Sequence, residues 1–418
     1  MVRVCPFAAV RPVRDAAGAI AAVPYDVVTA DEARAIIAKN PESFLRVSRP
    51  DAELPDIPPH DDRVYQRAAE NFHALITSGR MVQDKSPSLY LYRVKQNGEV
   101  FLGLACCLCV EDYRNRRIRR HEQTRYDKEE DRTRHIEATK THNGPVVLLY
   151  RDGDGIVARL ESLLNDDRVP DDEVHAENGT VHQVFRLDPE TGRDLEERFR
   201  NIPFLYIADG HHRAKSAVNV ADRHGADGCD TGITRFLGVL FAHDKVRIHG
   251  YSRLLTDIGK YTPATFLADL TKVFTVKPYG PADGKGFQLA PKIKNPERYH
   301  IIHVYLDGTW YECTRPIDPA APPLESLDVA ILQKYVLFGM LGITDPRGDA
   351  RLQYLGGARP VSDLTALVDN GSFRLAIAMQ PVRVNTVLDI ADADGVMPPK
   401  STWFEPKLLS GLLVHTFE

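Results

Sequence analysis

The sequence predicts an α/β protein built on a mixed sheet, and three observations carry that reading. Apolar runs of strand length alternate along the chain with amphipathic stretches of helical period. Two pairs of such runs are joined by Asn97-Gly98 and Asp307-Gly308, dipeptides that supply the positive φ angles of a tight hairpin. At 203–225 an apolar run, an Asp-Gly turn and a helix-forming stretch follow one another directly, the order of a strand that feeds a helix.

The elements follow in chain order. Thr29 and Glu32 form a capping-box pattern ahead of Ala33, Ile36 and Ile37, so a short helix starts after the Pro24-Tyr25-Asp26 turn and stops at Pro41. Val64, Tyr65, Ala68, Ala69, Phe72, Leu75 and Ile76 make one stripe over 62–78, with Gly79 as the stop. Runs 89–94 and 100–110 pair across Asn97-Gly98. The charge-dense run 111–144 offers almost nothing apolar and reads as a solvated helix and loop. Strand 145–150, helix 156–165, strand 181–187, strand 203–209 and helix 211–225 come next, then strand 235–242, an irregular 249–255 and a helix over 264–274. A Pro/Gly-rich loop is expected over 277–286, a hairpin over 299–314, a helix over 327–343 and a strand over 373–380. The last 22 residues carry three prolines yet end in apolar groups that should dock on the body.

Composition narrows the function. The chain has 418 residues, 43% hydrophobic and 27% charged, enough for a core and an ordinary surface. Its 53 basic and 58 acidic residues leave a net charge of −5, which gives no global reason to bind nucleic acid or an acidic membrane. Six cysteines are too few for a disulfide scaffold and point to a reducing cytosol. Neither a secretory leader nor a membrane-length apolar stretch is expected. No nucleophile elbow, zincin helix or dinucleotide fingerprint occurs. Cys106-Cys107-Leu108-Cys109 lacks a second ligand pair and reads as buried small hydrophobes on a strand.

Three segments carry candidate chemistry. In Tyr206-Ile-Ala-Asp209-Gly210-His211-His212-Arg213, the helix N-terminus, a glycine that admits close approach and the Arg213 fork suit a phosphate, and Asp209 could hold a magnesium ion. A capped helix with solvent-facing histidines accounts for the same residues equally well. Zinc held by both histidines is disfavoured, because helical neighbours point about 100° apart. In Arg119-Arg120-His121-Glu122-Gln123-Thr124-Arg125, Glu122 is a candidate base and the arginines candidate phosphate partners, against the plainer reading of a compensated charged helix. Lys400, Ser401 and Thr402 bring a cation and two hydroxyls together, while a proline-rich tail packed through Trp403 and Phe404 competes with that reading.

With PYDVVTADEA, RHEQTRYDKEEDR, YIADGHHRAKSA and MPPKSTWFEPKLLSGL in this order, the sequence resembles the domain-of-unknown-function 1015 family nearly end to end. Its His-Glu element followed by Asp-Gly-His-His-Arg is also similar to that of the free serine kinases of the ParB-like/sulfiredoxin-like nucleotide-binding fold. That resemblance implies Glu122 as base, with Asp209 and His212 beside it in catalysis and Asp209 on Mg²⁺. His121, Thr124, Arg125, Gly210, His211, Arg213, Lys400, Ser401 and Thr402 would then bind nucleotide and phosphate. The organisation it implies is an N-terminal α+β unit (1–110), a ParB-like core (111–250) with an insertion at about 151–202, and a C-terminal α+β unit (251–418) whose MPPKST segment docks on the core. The expected activity is transfer of a phosphoryl group from ATP or ADP to a small hydroxyl compound, free L-serine first. A nucleotide-binding regulatory module or a nucleotide or phosphoester hydrolase at the same site are the alternatives. The partners expected are a nucleotide and a small hydroxyl-bearing metabolite, not nucleic acid or membrane; the sequence does not give the oligomeric state.

Overall fold

The computed structural model describes residues 1–164, 168–280, 289–357 and 359–417, a mixed α/β architecture. Two compact units form: Met1–Arg120 with Thr124–Val246 and Pro406–Glu418, and Arg247–Glu405 with His121–Gln123.

The first unit is organised by a nine-stranded sheet. Its strands are β1 (Val4–Cys5), β2 (Tyr90–Gln96), β3 (Glu99–Cys109), β4 (Ile118–Arg119), β5 (Val146–Tyr150), β6 (Asp172–His175), β7 (Val181–Arg186), β8 (Leu205–Asp209) and β9 (Arg235–Ala242). The order is β4-β8-β5-β9-β3-β2-β7-β6, with β1 beside β3. Pairs β8/β4 and β9/β5 are parallel and the rest antiparallel. All of β5 is buried, which is why it reads as an unbroken apolar run rather than an alternating one. The Asn97-Gly98 hairpin between β2 and β3 forms with φ of 52° and 79°.

This sheet runs through the division expected at 110/111. β3 pairs with β9 in the register Cys106 to Gly238, so residues on both sides of that point share one sheet. The segment expected as an insertion also joins it, because the β6/β7 hairpin adds to the free side of β2.

Among the described residues the longer helices of this unit are α1 (Ala30–Lys39), α2 (Asp62–Thr77), α3 (Tyr126–Thr139), α4 (Ile156–Ser162), α5 (Pro189–Arg200) and α6 (His211–Arg223). The α1 capping box is complete, with Glu32 N–H donating to Thr29 Oγ1 at 3.2 Å and Thr29 N–H to Glu32 Oε2 at 2.8 Å. Ile156 and Leu160 of α4, Leu195 and Phe199 of α5, and Ala214, Ala217, Val218 and Ala221 of α6 share one core with Leu104, Cys106, Leu148 and Leu240 of the sheet. Helix α3 corrects the expectation of a merely solvated charged run. Thr133, His135, Ile136 and Thr139 are buried, and Arg132 is only 11% exposed. Few apolar residues were needed because α3 joins α6 through polar groups: Arg223 pairs with Glu130 and Glu137, and Ser216 Oγ donates to Glu129 O.

The second unit has a six-stranded antiparallel sheet. Its strands are β11 (Ser252–Leu255), β12 (Thr275–Pro278), β13 (Tyr299–Leu306), β14 (Thr309–Pro316), β15 (Leu352–Leu355) and β16 (Leu375–Met379), in the order β12-β14-β13-β16-β11-β15, while β10 (Arg247–His249) pairs with β17 (Trp403–Glu405). Residues 249–255, expected to be irregular, are thus mostly strand. The predicted helix over 327–343 is a single α-turn, Asp328–Ile331, followed by a wider π-helical stretch, Leu332–Phe338. The predicted helix over 264–274 ends early, as Pro263–Leu270. Of the loop expected over 277–286, residues 281–286 lie outside the described residues, as does Asn165 at the end of the helix expected over 156–165. No helix among the described residues is long and apolar enough to cross a membrane.

Several buried imidazoles of the first unit are held neutral. Burial lowers His135, which meets Val47 O at 2.7 Å, to about 4. Burial likewise lowers His182 and His415 to about 4, and His142, stacked on His415 with centroids 5.7 Å apart, falls well below its ordinary value. The unfolded chain takes up these protons first, near its free-histidine value of about 6.5, so this stability is complete above that pH and lost as pH falls toward 4. The expected slope is at most ~1.4 kcal/mol per pH unit for each such histidine. Thermal unfolding followed between about pH 7.5 and 5 should show a steep fall in Tm, and a flat profile would contradict this assignment.

Candidate functional site

The turn between β8 and α6 brings Asp209, Arg213 and Lys407 together at the start of a helix. β8 ends at Asp209, Gly210 takes φ 91°, and α6 begins at His211 with no side chain capping it. Only glycine adopts that φ without strain. A Cβ at Gly210 would also lie 3.0 Å from Arg213 Nε, a tight contact that the arginine would have to yield to.

Arg213 reaches back from the first turn of α6. Its Nη2 donates to Asp209 Oδ2 at 2.9 Å, and Nη1 donates to Pro145 O at the start of β5. The side chain is 11% exposed. Gly144 makes room for it, since a Cβ there would sit 3.3 Å from Arg213 Cδ. The other Asp209 oxygen, Oδ1, is 3.3 Å from Lys407 Nζ. Burial alone would push the Asp209 carboxyl up, but Lys407 and Arg213 outweigh it and hold the group well below the usual carboxylate range. Asp209 is therefore a carboxylate clamped between two cations.

The histidines differ. His211 is buried, and burial, against the pull of Asp209 and with the push of His212, lowers it to about 3. It is neutral at physiological pH and adds no charge to the site. His212 is half-buried, and its Nε2 accepts from Arg125 N–H at 3.1 Å, which fixes the backbone just ahead of α3. The Arg125 guanidinium itself is forked onto Asp127 at 3.1 and 2.9 Å.

Behind Arg213 stands a second charged layer that the sequence reading set aside as a plain turn. Tyr25 faces Arg132 at 4.3 Å, and Arg132 pairs with Asp131 at 2.7 Å and donates to Ser48 O. Burial and Asp26 raise the Tyr25 hydroxyl to about 12, with Arg132 and Arg213 opposing. The field of Arg213 thus reaches Tyr25 and Asp26. Lys407 was also passed over, although it lies in a quoted motif, Phe404-Glu405-Pro406-Lys407. The order in which the motifs recur was the available signal, but nothing local marked this lysine as a partner of Asp209.

The structure thus brings Asp209, Gly210, His211, His212 and Arg213 together, with Thr124 and Arg125 in the same unit. His121, Glu122, Lys400, Ser401 and Thr402 belong to the second unit. There His121 is buried with its ring 6.1 Å from Phe404, and its carbonyl accepts from Met397 N–H at 2.8 Å. Ser401 Oγ donates to Pro398 O at 2.6 Å, and Lys400 is exposed. Among the described residues no group of three His, Cys, Asp or Glu could hold a metal ion. Asp209 offers magnesium one carboxylate, whose Oδ1 contact with Lys407 is the looser of its two.

Substitution separates these parts. Gly210→Ala should cost about 1–2 kcal/mol from backbone strain alone and displace Arg213. Lys407→Met should leave the fold intact and raise the pKa of Asp209, because one of the two cations that depress it is gone. Denaturant unfolding and carboxylate NMR titration read the two effects; an unmoved Asp209 titration would show that Lys407 does not hold it.

The sequence model of the family described as "Protein of unknown function (DUF1015)" matches residues 4–330. No curated protein matches the chain. Among solved structures, a free serine kinase in complex with AMP is similar over 73% of this chain and 88% of its own, at 14% identity and a TM-score of 0.37. A conserved hypothetical protein from Pyrococcus furiosus is similar over 72% of this chain and 90% of its own, at 13% identity and a TM-score of 0.34. SbnI with a C-terminal truncation, from Staphylococcus aureus, is similar over 74% and 86%, at 11% identity and a TM-score of 0.37. The function is read from the chain's own residues.

Proposed function

The chain belongs to the family described as Protein of unknown function (DUF1015), and from that premise we propose that it is a phosphotransferase whose β8–α6 turn holds the donor phosphates of ATP or ADP. One observation carries the reading: an uncapped helix N-terminus behind Gly210 lies against two cations, Arg213 and Lys407, that share a single carboxylate. Backbone N–H groups at such an end, and the positive end of the helix dipole, favour an anion. The guanidinium of Arg213 and the ammonium of Lys407 are both charged donors suited to phosphate oxygens.

Within this reading each residue has a task. Arg213 is fixed by Asp209 and Pro145 O, so it presents the rest of its fork without reorganising. Lys407, on the longer contact, turns from Asp209 Oδ1 to a phosphate oxygen. Asp209 would hold Mg²⁺ through a carboxylate oxygen, and the ion would supply neutralisation of charge on the transferred group. Neutral His211 packs the turn, and His212 accepts from Arg125 N–H. The acceptor is a small hydroxyl compound, with L-serine as the first candidate, and the proton of its hydroxyl passes to a carboxylate. Glu122 holds that assignment from its motif alone. Positioning and charge neutralisation supply most of the rate, as phosphoryl transfer requires.

The test incubates the pure protein with Mg²⁺, ATP or ADP, and L-serine among other small hydroxyl compounds, and follows phosphorylated products by mass spectrometry. Lys407→Ala should weaken nucleotide binding ~5–30-fold, the loss of one charge-assisted contact. Glu122→Gln should lower turnover ~10²-fold with nucleotide affinity unchanged. Nucleotide bound without any product would favour the regulatory module, and free phosphate without an acceptor product would favour the hydrolase.

A further inference from the structure

The second unit contains a cation in an unusual position. Among the described residues Arg253, on β11, is the one arginine or lysine buried outright, at 3% exposure. Three nearly buried arginines of the first unit face carboxylates: Arg11 pairs with Asp84 and Asp172, Arg132 with Asp131, and Arg213 with Asp209. Arg253 has no carboxylate partner among the described residues. Nη1 donates to Tyr251 O at 2.5 Å and Nη2 to Lys400 O at 3.2 Å, and the guanidinium lies 5.2 Å from the Tyr354 ring. Its Nε, fully shielded, has no hydrogen-bond partner. Of the five donors on a guanidinium, two are used and three remain.

That arrangement is costly as it stands. A buried charge without a counter-ion loses its hydration, and a buried N–H left unbonded adds a further penalty. Burial, with Tyr354 and Tyr251 opposing, lowers Arg253 to about 10, whereas Arg11, Arg132 and Arg213 are all raised by their acids. A second cation stands close by. Lys400 takes φ 55°, which turns its carbonyl onto Arg253, and its Nζ is 5.3 Å from the Tyr251 ring. The exposed Lys400 and the buried Arg253 are therefore joined through one residue's backbone, with Tyr251 between them and no carboxylate to neutralise Arg253.

We propose that Arg253 and Lys400 form an anion site in the second unit that takes the compact oxyanion group, carboxylate or phosphate, of a small molecule. The planar Arg253 fork, with three donors left over, is shaped for two oxygens of one group. Lys400 supplies the charge that draws the anion in from solvent. The Tyr354 ring face and the Tyr251 carbonyl hold the guanidinium without neutralising it. The site is independent of the β8–α6 turn and stands whether or not that turn holds a nucleotide.

The experiment uses the full chain and reads the rise in Tm and the titration heat on adding inorganic phosphate, acetate or L-serine to a buffer containing only chloride. A ligand that binds the folded state alone raises Tm with concentration. At least one of the three should do so, and Lys400→Ala should weaken that binding about 3–10-fold, a change that anion binding in the first unit would not undergo. Arg253→Met should abolish it, and in chloride alone this variant should be at least as stable as the wild type, because an unpaired buried charge is replaced by an apolar chain of similar length. Response to phosphate alone identifies a phosphate group as the ligand, and response to acetate and serine a carboxylate. The proposal fails if none of the three anions moves Tm or gives heat, or if Lys400→Ala binds as the wild type does. It also fails if folded Arg253→Met is less stable in chloride with the anion response intact, which would make Arg253 a strut between Tyr251 and Lys400. Should Arg253→Met not fold, the Lys400→Ala titration decides.

Discussion

The pair between Arg213 and Asp209 is the constraint around which the first unit's turn is arranged. It joins the first turn of α6 to the end of β8, and through Pro145 O it also fastens the start of β5. Gly210 is set by its positive φ, and Arg213 packs closely over both Gly210 and Gly144. The chain's end is tied to the same carboxylate through Lys407. Ser410 then pairs with Ala22 and Gly411 approaches Phe44, so this segment is fitted into the N-terminal layer as well. Removing the aspartate would leave two cations facing each other; removing the arginine would leave Asp209 with the looser contact only.

Much of this was legible in the residues. The capping box at Thr29 and Glu32, the two hairpins with their Asn-Gly and Asp-Gly turns, and the buried run at 146–150 all formed where local chemistry placed them. These are short-range signals, set by dihedral preference and burial on both faces. The strand-turn-helix at 203–225 was legible for the same reason, with the Asp, Gly and Arg in their order. Helix α5 was overlooked although Asp188 caps it, donating nothing but accepting from Glu190 and Thr191 N–H, and Pro189 opens it; that signal was present in the sequence.

What the sequence could not show was long-range. The burial of Arg132 in a run of charges follows from α2 and α6 packing on α3, which no local composition reveals. Lys407 meets Asp209 across 198 positions of sequence. The share of the candidate residues that falls in the second unit, His121, Glu122 and Lys400–Thr402, depends on pairings such as Met397 N–H to His121 O that have no sequence signature. The π-helical stretch after Ile331 likewise replaces a regular helix whose periodicity looked sound.

The two units handle buried positive charge differently. In the first, Arg11, Arg132 and Arg213 each pair with an acid, so Arg213 is positioned by Asp209, which Lys407 also contacts. In the second, Arg253 is held by carbonyls and an aromatic ring and keeps its full charge. The central claim concerns the first of these arrangements, and the most direct measurement is a crystal structure of the full chain with ADP and Mg²⁺. The account predicts phosphate oxygens within hydrogen-bond reach of the backbone N–H groups at His211 to Arg213, with Lys407 turned toward them. Phosphates bound elsewhere, with the Lys407–Asp209 contact unchanged, would contradict it.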